Sequence, residues 1–546
     1  MKLSSKRTFA SCSRVLAILL LVSFASTASA QRLLYQIKGT VTDEKLGHFV
    51  QMLGDVNSDG LSDLLIQGAA PSNKNRILVH SGLDGAKLLE IGPESYQSAA
   101  AIGDVNLDGH ADFAVSTLVS SRVHSGKDGS VLYPLTGGDD PCNCSSFYCF
   151  YDFGAAVGSA GDVNQDGHPD IIVGAPSGSW HGYAKVFSGL DGSTLALYKL
   201  CDTTYYNAHY YGAGVGTAGD VNQDGYADPV IGNPIADLDN DFFCDGACEV
   251  RSGRTGLVLF KFQEKGPTFG CPETGKRLGP LGDLNGDGRS DFWYFGFPYD
   301  PGSKIRSGNG TQMHGSITLN AVSITSIQDL DLDGKDDFVL SDDQALVRAY
   351  SGSSGLLLFE LTGFAGDSNN PKLKDGVVVA GGGDLNGDGI PDLVVGDAGF
   401  DLDASTPNAG VVNVYSLCVP AGWNNYGSGF PGTLGIPSIG LSADPELGAT
   451  VQLLVGNSLG QTTVGLLFVG PEPADVPSTW GGHLLVAALF PPQLILIAAS
   501  GLQINLNIPD SQSLCGLHLY WQALELDAGA PHQVSFTPGL DTRLSD

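Results

Sequence analysis

Positive charge is scarce in this chain: 28 Lys and Arg face 59 Asp and Glu, for a formal net charge of −31 at pH 7. So acidic a surface repels phosphate backbones, which excludes a nucleic-acid binder. HExxH, CxxC and any His/Cys cluster at zinc-ligand spacing are missing, which excludes the familiar zinc sites. Long apolar runs are nearly missing too. The strongest, Leu484 to Ser500, is split by Pro491, Pro492 and Gln493 and reads as a pair of core strands rather than a membrane helix. Helix signals are few, whereas 75 of the 546 residues are glycine. Many short strands joined by tight turns follow from that balance, so the expected class is all-β.

The first thirty residues stand apart. Lys2, Lys6, Arg7 and Arg14 precede or begin the apolar stretch Val15 to Phe24, and the small residues Ala28-Ser29-Ala30 follow. This is the pattern of a secretory signal peptide, residues 1–30, cleaved after Ala30. The stretch is too short for a bilayer span, so an uncleaved anchor is the weaker reading. Export to an oxidising compartment lets disulfides persist. Ten cysteines less Cys12 leave nine, and an odd number leaves one thiol free or paired elsewhere.

A nine-residue pattern, DxNxDGxxD, begins at Asp55, Asp104, Asp162, Asp220, Asp283, Asp329 and Asp384. An apolar stretch of strand character follows each copy, such as IIVGA from Ile171. A second signature then recurs: VHSG at Val79 and Val123, VFSG at Val186, VRSG at Val250, IRSG at Ile305, AYSG at Ala349 and VYSL at Val414. With the apolar residues before each aspartate loop and an LLxxL-like strand after most SG turns, each unit has four strands, the size of one propeller blade. The last unit stops at VYSL, while the N-terminus opens with an orphan strand, Leu33 to Ile37. The expected fold is therefore a seven-bladed β-propeller closed by the N-terminal strand, which removes exposed sheet edges.

Oxygen donors at positions 1, 3, 5 and 9, with glycine at 6 for the sharp turn, make a cage for a hard cation, and calcium fits best. In the first loop the ligands are Asp55, Asn57, Asp59 and Asp63, with the backbone carbonyl of Leu61. The same roles fall on Asp104, Asn106, Asp108, His110 and Asp112, and on Asp162, Asn164, Asp166, His168 and Asp170. They continue through Asp220, Asn222, Asp224, Tyr226 and Asp228, then Asp283, Asn285, Asp287, Arg289 and Asp291. Asp329, Asp331, Asp333, Lys335 and Asp337 form the sixth loop, and Asp384, Asn386, Asp388, Ile390 and Asp392 the seventh. Up to seven structural calcium ions are expected. An EF-hand shares the opening but needs Glu at position 12; here that position holds Ile66, Val115, Val173, Ile231, Tyr294, Leu340 and Val395. Without metal the clustered aspartates repel one another, by roughly 4 kcal/mol for two charges about 4 Å apart at an effective dielectric near 20.

The third unit reads DFGAAVGSAGDVNQDGHPDIIVGAPSG from Asp152, with Phe153-Gly154 before the loop and Gly174-Ala175-Pro176 after it; the fourth, from Tyr211, is nearly as close. These runs resemble FG-GAP repeats of the integrin α-subunit N-terminal propeller, and VCBS-like calcium-binding repeats of bacterial-type secreted proteins, over residues 33–418. The resemblance implies a propeller, calcium in the inter-strand loops, and adhesion or ligand binding. The FG pair is absent from units five to seven and the GAP triplet is complete only in the third, so no particular ligand carries over.

In a four-stranded meander the calcium loops and SG turns share one face, leaving the 2–3 and 4–1 connections to the other. Those connections vary in length and hold Cys142, Cys144, Cys149, Cys201, Cys244, Cys248 and Cys271, together with Tyr148, Tyr151, Tyr206, Tyr210 and Phe243. A disulfide-braced aromatic face is expected there, suited to an extracellular protein or glycan. The bland alternative is that these aromatics merely cover the ends of the core. Residues 419–440, rich in Gly, Pro and Asn, read as a linker, and 441–546 as a small β-sandwich-like accessory domain in which Cys515 could pair with Cys418. The favoured function is a secreted, non-catalytic adhesion or ligand-binding module. A calcium-dependent polysaccharide lyase or hydrolase is the rival; its candidate acid/base residues, His181, His209 and Asp202, do not converge with any other catalytic signal.

Overall fold

The computed structural model describes residues 31–546 except 71–73, 138–151, 178–181, 200–209, 235–245, 264–273, 296–302, 315–320, 332, 343, 365–376, 388–389, 418–420, 489–490, 510–513 and 546. The proposed signal peptide lies outside the described residues. The chain divides into two compact units, Leu33–Leu417 and one holding Cys418–Asp546. Among the described residues there is no α-helix, and no helix long and apolar enough to cross a membrane.

The first unit is built of four-stranded sheets. Six contain consecutive strands and open with Phe49–Gly54, Ser98–Gly103, Ala156–Gly161, Val215–Thr217, Leu278–Gly282 and Ala321–Ile327. In the seventh the order is Gln31–Lys38, Val411–Leu417, Asp392–Asp397, Val378–Gly383, so the N-terminal strand lies beside a strand almost 400 positions away in the chain. The third sheet shows the plan: Ala156–Gly161 pairs antiparallel with Asp170–Ala175, which pairs with Tyr183–Phe187, which pairs with Thr194–Lys199.

Burial explains the sequence patterns strand by strand. The second strands are buried on both faces, all six residues in Asp170–Ala175, so they read as continuous apolar runs instead of alternating ones. The fourth strands are half exposed, as in Thr194–Lys199, and alternate accordingly. Sheets pack face to face through shared clusters: Ala114 and Val123 of the second sheet meet Ile171 and Val173 of the third. Leu64, Ile66 and Leu78 of the first sheet likewise share a cluster with Val394, Val412 and Val414 of the seventh. Each Val, Leu or Ile so buried contributes about 1.5–3 kcal/mol. The opening strand of every sheet contacts that of the next, and Val378–Gly383 contacts Phe49–Gly54.

Fourth strands also reach across to the next sheet. Tyr133, in the fourth strand of the second sheet, donates its hydroxyl to the Gly189 carbonyl of the third, and its ring fills the space a Cβ on Gly192 would need. Tyr35, in the N-terminal strand, does the same to the Gly82 carbonyl of the first sheet and occupies the space beside Gly85.

The second unit has a six-stranded sheet and a three-stranded sheet packed on a common core, in which Leu441, Val451 and Leu453 meet Leu467, Trp521 and Leu540. Residues 419–440, expected as a linker, include the strand Gly422–Tyr426, which pairs with Gly539–Arg543 and belongs to this unit. Its Trp423 lies against Gly440, which explains the ordering of so Gly-rich a stretch.

Because Tyr35 and Tyr133 make equivalent contacts, Tyr35→Phe and Tyr133→Phe should each lower the unfolding free energy by about 1 kcal/mol in denaturant titrations. An unchanged Tyr35→Phe protein would show that the Tyr35 hydroxyl adds nothing at this junction.

Candidate functional site

In five of the sheets the aspartate loop follows a register shift at the end of the first strand. In the third sheet the register shifts between Ser159 and Gly161, and Gly161 sits at φ +70°, a conformation that favours glycine. The bulge turns the chain into the loop, where position 1 gathers backbone amides. Asp162 Oδ2 accepts from Gly167 N–H at 2.9 Å and Oδ1 from Asp166 N–H at 3.2 Å. Asn164 Oδ1 accepts from Asp166 N–H at 2.8 Å, and Asp166 Oδ1 from His168 N–H at 2.9 Å. The second and fourth loops repeat the set through Asp104, Asn106 and Asp108 and through Asp220, Asn222 and Asp224. Position 4 adopts the left-handed conformation in every loop where it is described: Ser58, Leu107, Gln165, Gln223, Gly286 and Gly387.

The resulting loops curl polar oxygens toward their own centres. In the sixth, where position 3 is also an aspartate, carboxylate oxygens of Asp329, Asp331 and Asp333 lie within 4.8 Å of one another. Three carboxylates at that spacing fit a hard divalent cation, which would draw them together and remove their repulsion. Asp388 of the seventh loop lies outside the described residues.

Position 9 has a second task. Asp63, Asp112, Asp170, Asp228, Asp291, Asp337 and Asp392 are all fully buried at the start of the second strand. Asp170 Oδ2 accepts from Val163 N–H in its own loop at 2.9 Å, and Oδ1 from Gly189 N–H in the SG turn at 2.9 Å. The same double acceptance recurs at Asp63, Asp112, Asp228, Asp291 and Asp337. This carboxylate therefore ties the strand 1–2 loop to the strand 3–4 turn. It also accounts for the SG signature: a Cβ on Gly189 would stand 2.0 Å from the Pro169 carbonyl oxygen, so only glycine brings its amide that close. Sequence reading found the SG repeat but not its partner; the once-per-unit recurrence at a set distance after each loop was the available signal. Burial pushes the carboxyls of Asp112, Asp170, Asp228, Asp291 and Asp337 up to about 6, against the two amides that lower them.

The side chains at position 7 turn sideways. The Nδ1 atoms of His110 and His168 lie 2.7 and 2.6 Å from the carbonyl oxygens of Val56 and Val105 in the preceding loops, and Arg289 donates to the Val221 carbonyl. These contacts turn the position 7 side chains towards the preceding loop. Tyr226 carries the Arg254 guanidinium over its ring at 5.5 Å.

On the expected ligand face, Tyr148, Tyr151, Tyr206 and Phe243 lie outside the described residues, as do His181, His209 and Asp202. Tyr210 is 43% exposed and its N–H is held by Asn233 Oδ1 at 3.1 Å. Cys248 is placed differently from the expected loop set: it is a free thiol, as the odd cysteine count allows, fully buried in the strand Ala247–Arg251 and paired with Gly232 and Phe262 across the sheet, while Cys142, Cys144, Cys149, Cys201, Cys244 and Cys271 lie outside the described residues. The pKa of Cys248 is pushed up by burial, so it is an inert core residue. Cys515 is disulfide-bonded; its expected partner, Cys418, lies outside the described residues.

A model of the FG-GAP repeat matches residues 153–189. Integrin alpha-5 of Xenopus laevis is 30% identical over 260 residues, covering 46% of this chain and 20% of that protein. Integrin alpha-V of Gallus gallus is 28% identical over 211 residues, 35% and 20% of the two chains, and integrin alpha-IIb of Homo sapiens 27% over 174 residues, 28% and 14%. The chain thus spans a fifth or less of the length of these relatives. The solved structure of BBS1N in complex with ARL6DN aligns with a TM-score of 0.45 at 11% identity, over 72% of this chain and 98% of that one, a score that carries no argument.

Two outcomes follow from the buried aspartates. Asp170→Ala should cost about 3 kcal/mol, since two hydrogen bonds to a charged acceptor are lost and two amides are stranded. In chelator, the carboxyls raised from 3.8 to about 6 bind protons in the folded state before the unfolded one. Stability should therefore rise as pH falls from about 7 towards 4, opposite to ordinary paired carboxylates. A chelated protein whose melting temperature fell steadily through that window would contradict the burial described.

Proposed function

For this chain, an FG-GAP and integrin α-like repeat protein, we propose a secreted calcium-binding module: a closed seven-bladed propeller that binds an extracellular protein or glycan without catalysis. Closure is supported by the N-terminal strand beside Val411–Leu417 and by the matching roles of Tyr35 and Tyr133. Calcium is supported above all by the sixth loop, whose three carboxylates gather within 4.8 Å. The loops share one sequence pattern, so up to seven ions are proposed, held by positions 1, 3, 5 and 9 and the position 7 carbonyl. When bound, calcium supplies positive charge that neutralises the loop carboxylates. The chain's own residues do the rest: in the first six loops position 9 couples the loop to its SG turn, and His110, His168 and Arg289 couple their loops to the preceding one. Such a scaffold is a firm base for a contact surface on the other face, where Tyr210 is an exposed aromatic.

Calcium titration by calorimetry should reach about seven equivalents. Each site contributes about 2.7 kcal/mol when free calcium is about a hundredfold above its dissociation constant, so chelation should lower the melting temperature by about 10 °C or more. Binding of one equivalent or none would refute the calcium reading. Immobilised protein–glycan and cell-surface binding screens, with calcium and with chelator, test the ligand role; a calcium-loaded protein that retains nothing in either would remove it.

A further inference from the structure

The second unit carries a surface unlike the rest of this acidic chain. From Val476 to Ile508 there is no Asp, Glu, Lys or Arg, in a chain whose net charge is −31. Within that stretch the strand Gln493–Ile497 forms one end of the six-stranded sheet, pairing only with Thr463–Gly470 among the described residues. Its outward residues are large and apolar: Leu494 is 76% exposed and Leu496 65%. The pairing register sets Leu494 opposite Leu466, and Leu496 opposite Val464. Leu466, Val464, Trp480 and Leu524 line a cleft of about 280 Å³ beside Leu494.

An open edge strand is a template for another strand, and natural chains guard such edges with charge, proline or a covering segment. Prolines stand only before this strand, at Pro491 and Pro492. We infer that the edge Gln493–Ile497 pairs with the same edge of a second copy of this chain, in antiparallel register about a twofold axis through Ile495. That register is self-complementary: it sets Leu494 of each copy against Leu496 of the other, a cross-strand pair of matched size. The adjoining cleft lets the leucine ladder extend over apolar walls. Charge selects the site as well as shape. Two molecules this acidic repel almost everywhere, and an uncharged edge is where they approach without opposing carboxylates. Five-residue strands bury a small area, which implies a weak dimer with a dissociation constant on the order of 10 µM.

Sedimentation equilibrium of the full chain from about 1 to 100 µM should show reversible dimerisation. Leu494→Lys and Leu496→Lys, at exposed positions, should each weaken it at least tenfold while leaving the melting temperature unchanged. For register, an equimolar mixture of Leu494→Cys and Leu496→Cys proteins should cross-link under mild oxidation faster than either protein alone. A chain that stays monomeric at 100 µM overturns the inference, and so does a dimer indifferent to both lysine substitutions. Cross-linking no faster in the mixture than in the separate proteins overturns the antiparallel register.

Discussion

A buried aspartate that accepts two backbone amides from different turns is the constraint on which the first unit depends. Taking a carboxylate out of water costs several kcal/mol, and it persists in the interior only because directed N–H groups replace the lost hydration. At Asp170 those donors come from Val163 and Gly189, so a single side chain holds the aspartate loop and the SG turn together. Each turn is positioned by the other, and the glycine of the SG pair is demanded by the close backbone approach. The loop geometry that gathers oxygens at positions 1, 3 and 5 is therefore pinned from the side of the strands.

From that local unit the larger construction follows by lateral contacts. Apolar faces of successive sheets share clusters, and polar ties run along the loop face, where Ala111 N–H donates to the Asp55 carbonyl and Ala227 N–H to that of Asp162, each at 3.0 Å. The outer strands add their aromatic reach at Tyr133 and Tyr35. Regularity on this side leaves the other connections free to differ in length and composition.

Much of this was legible in the residues because repetition multiplies weak signals. A single DxNxDG is an ordinary turn, but seven of them fixed to apolar second strands imply one repeated four-stranded unit, and the apolar position 12 separates them from EF-hands by pattern alone. The orphan strand at Leu33 was readable for the same reason: a count of strands per unit came out one short at one end and one over at the other. The odd cysteine count leaves one thiol free, but which one is not legible: cysteine density assigns Cys248 to a variable connection, whereas its place in the Ala247–Arg251 strand, between Gly232 and Phe262, depends on where a strand begins inside a variable stretch. Gly422–Tyr426 was misread as linker because its glycine and asparagine residues carry poor strand propensity, which pairing with Gly539–Arg543 overrides.

What the sequence determined by itself was the repeat, the all-β class and the chemical character of the loops, all of which reside in local spacing and side-chain type. The tertiary structure decided which oxygens face a loop centre and which face backbone amides. It also decided that position 7 side chains bridge neighbouring loops and that the strand Gln493–Ile497 ends the six-stranded sheet, pairing only with Thr463–Gly470 among the described residues. Those outcomes join residues from separate turns, separate sheets and, at Tyr35 and Gly82, neighbouring ends of the array. No local pattern encodes such distances, because they are set by how whole sheets pack rather than by any one segment's preference.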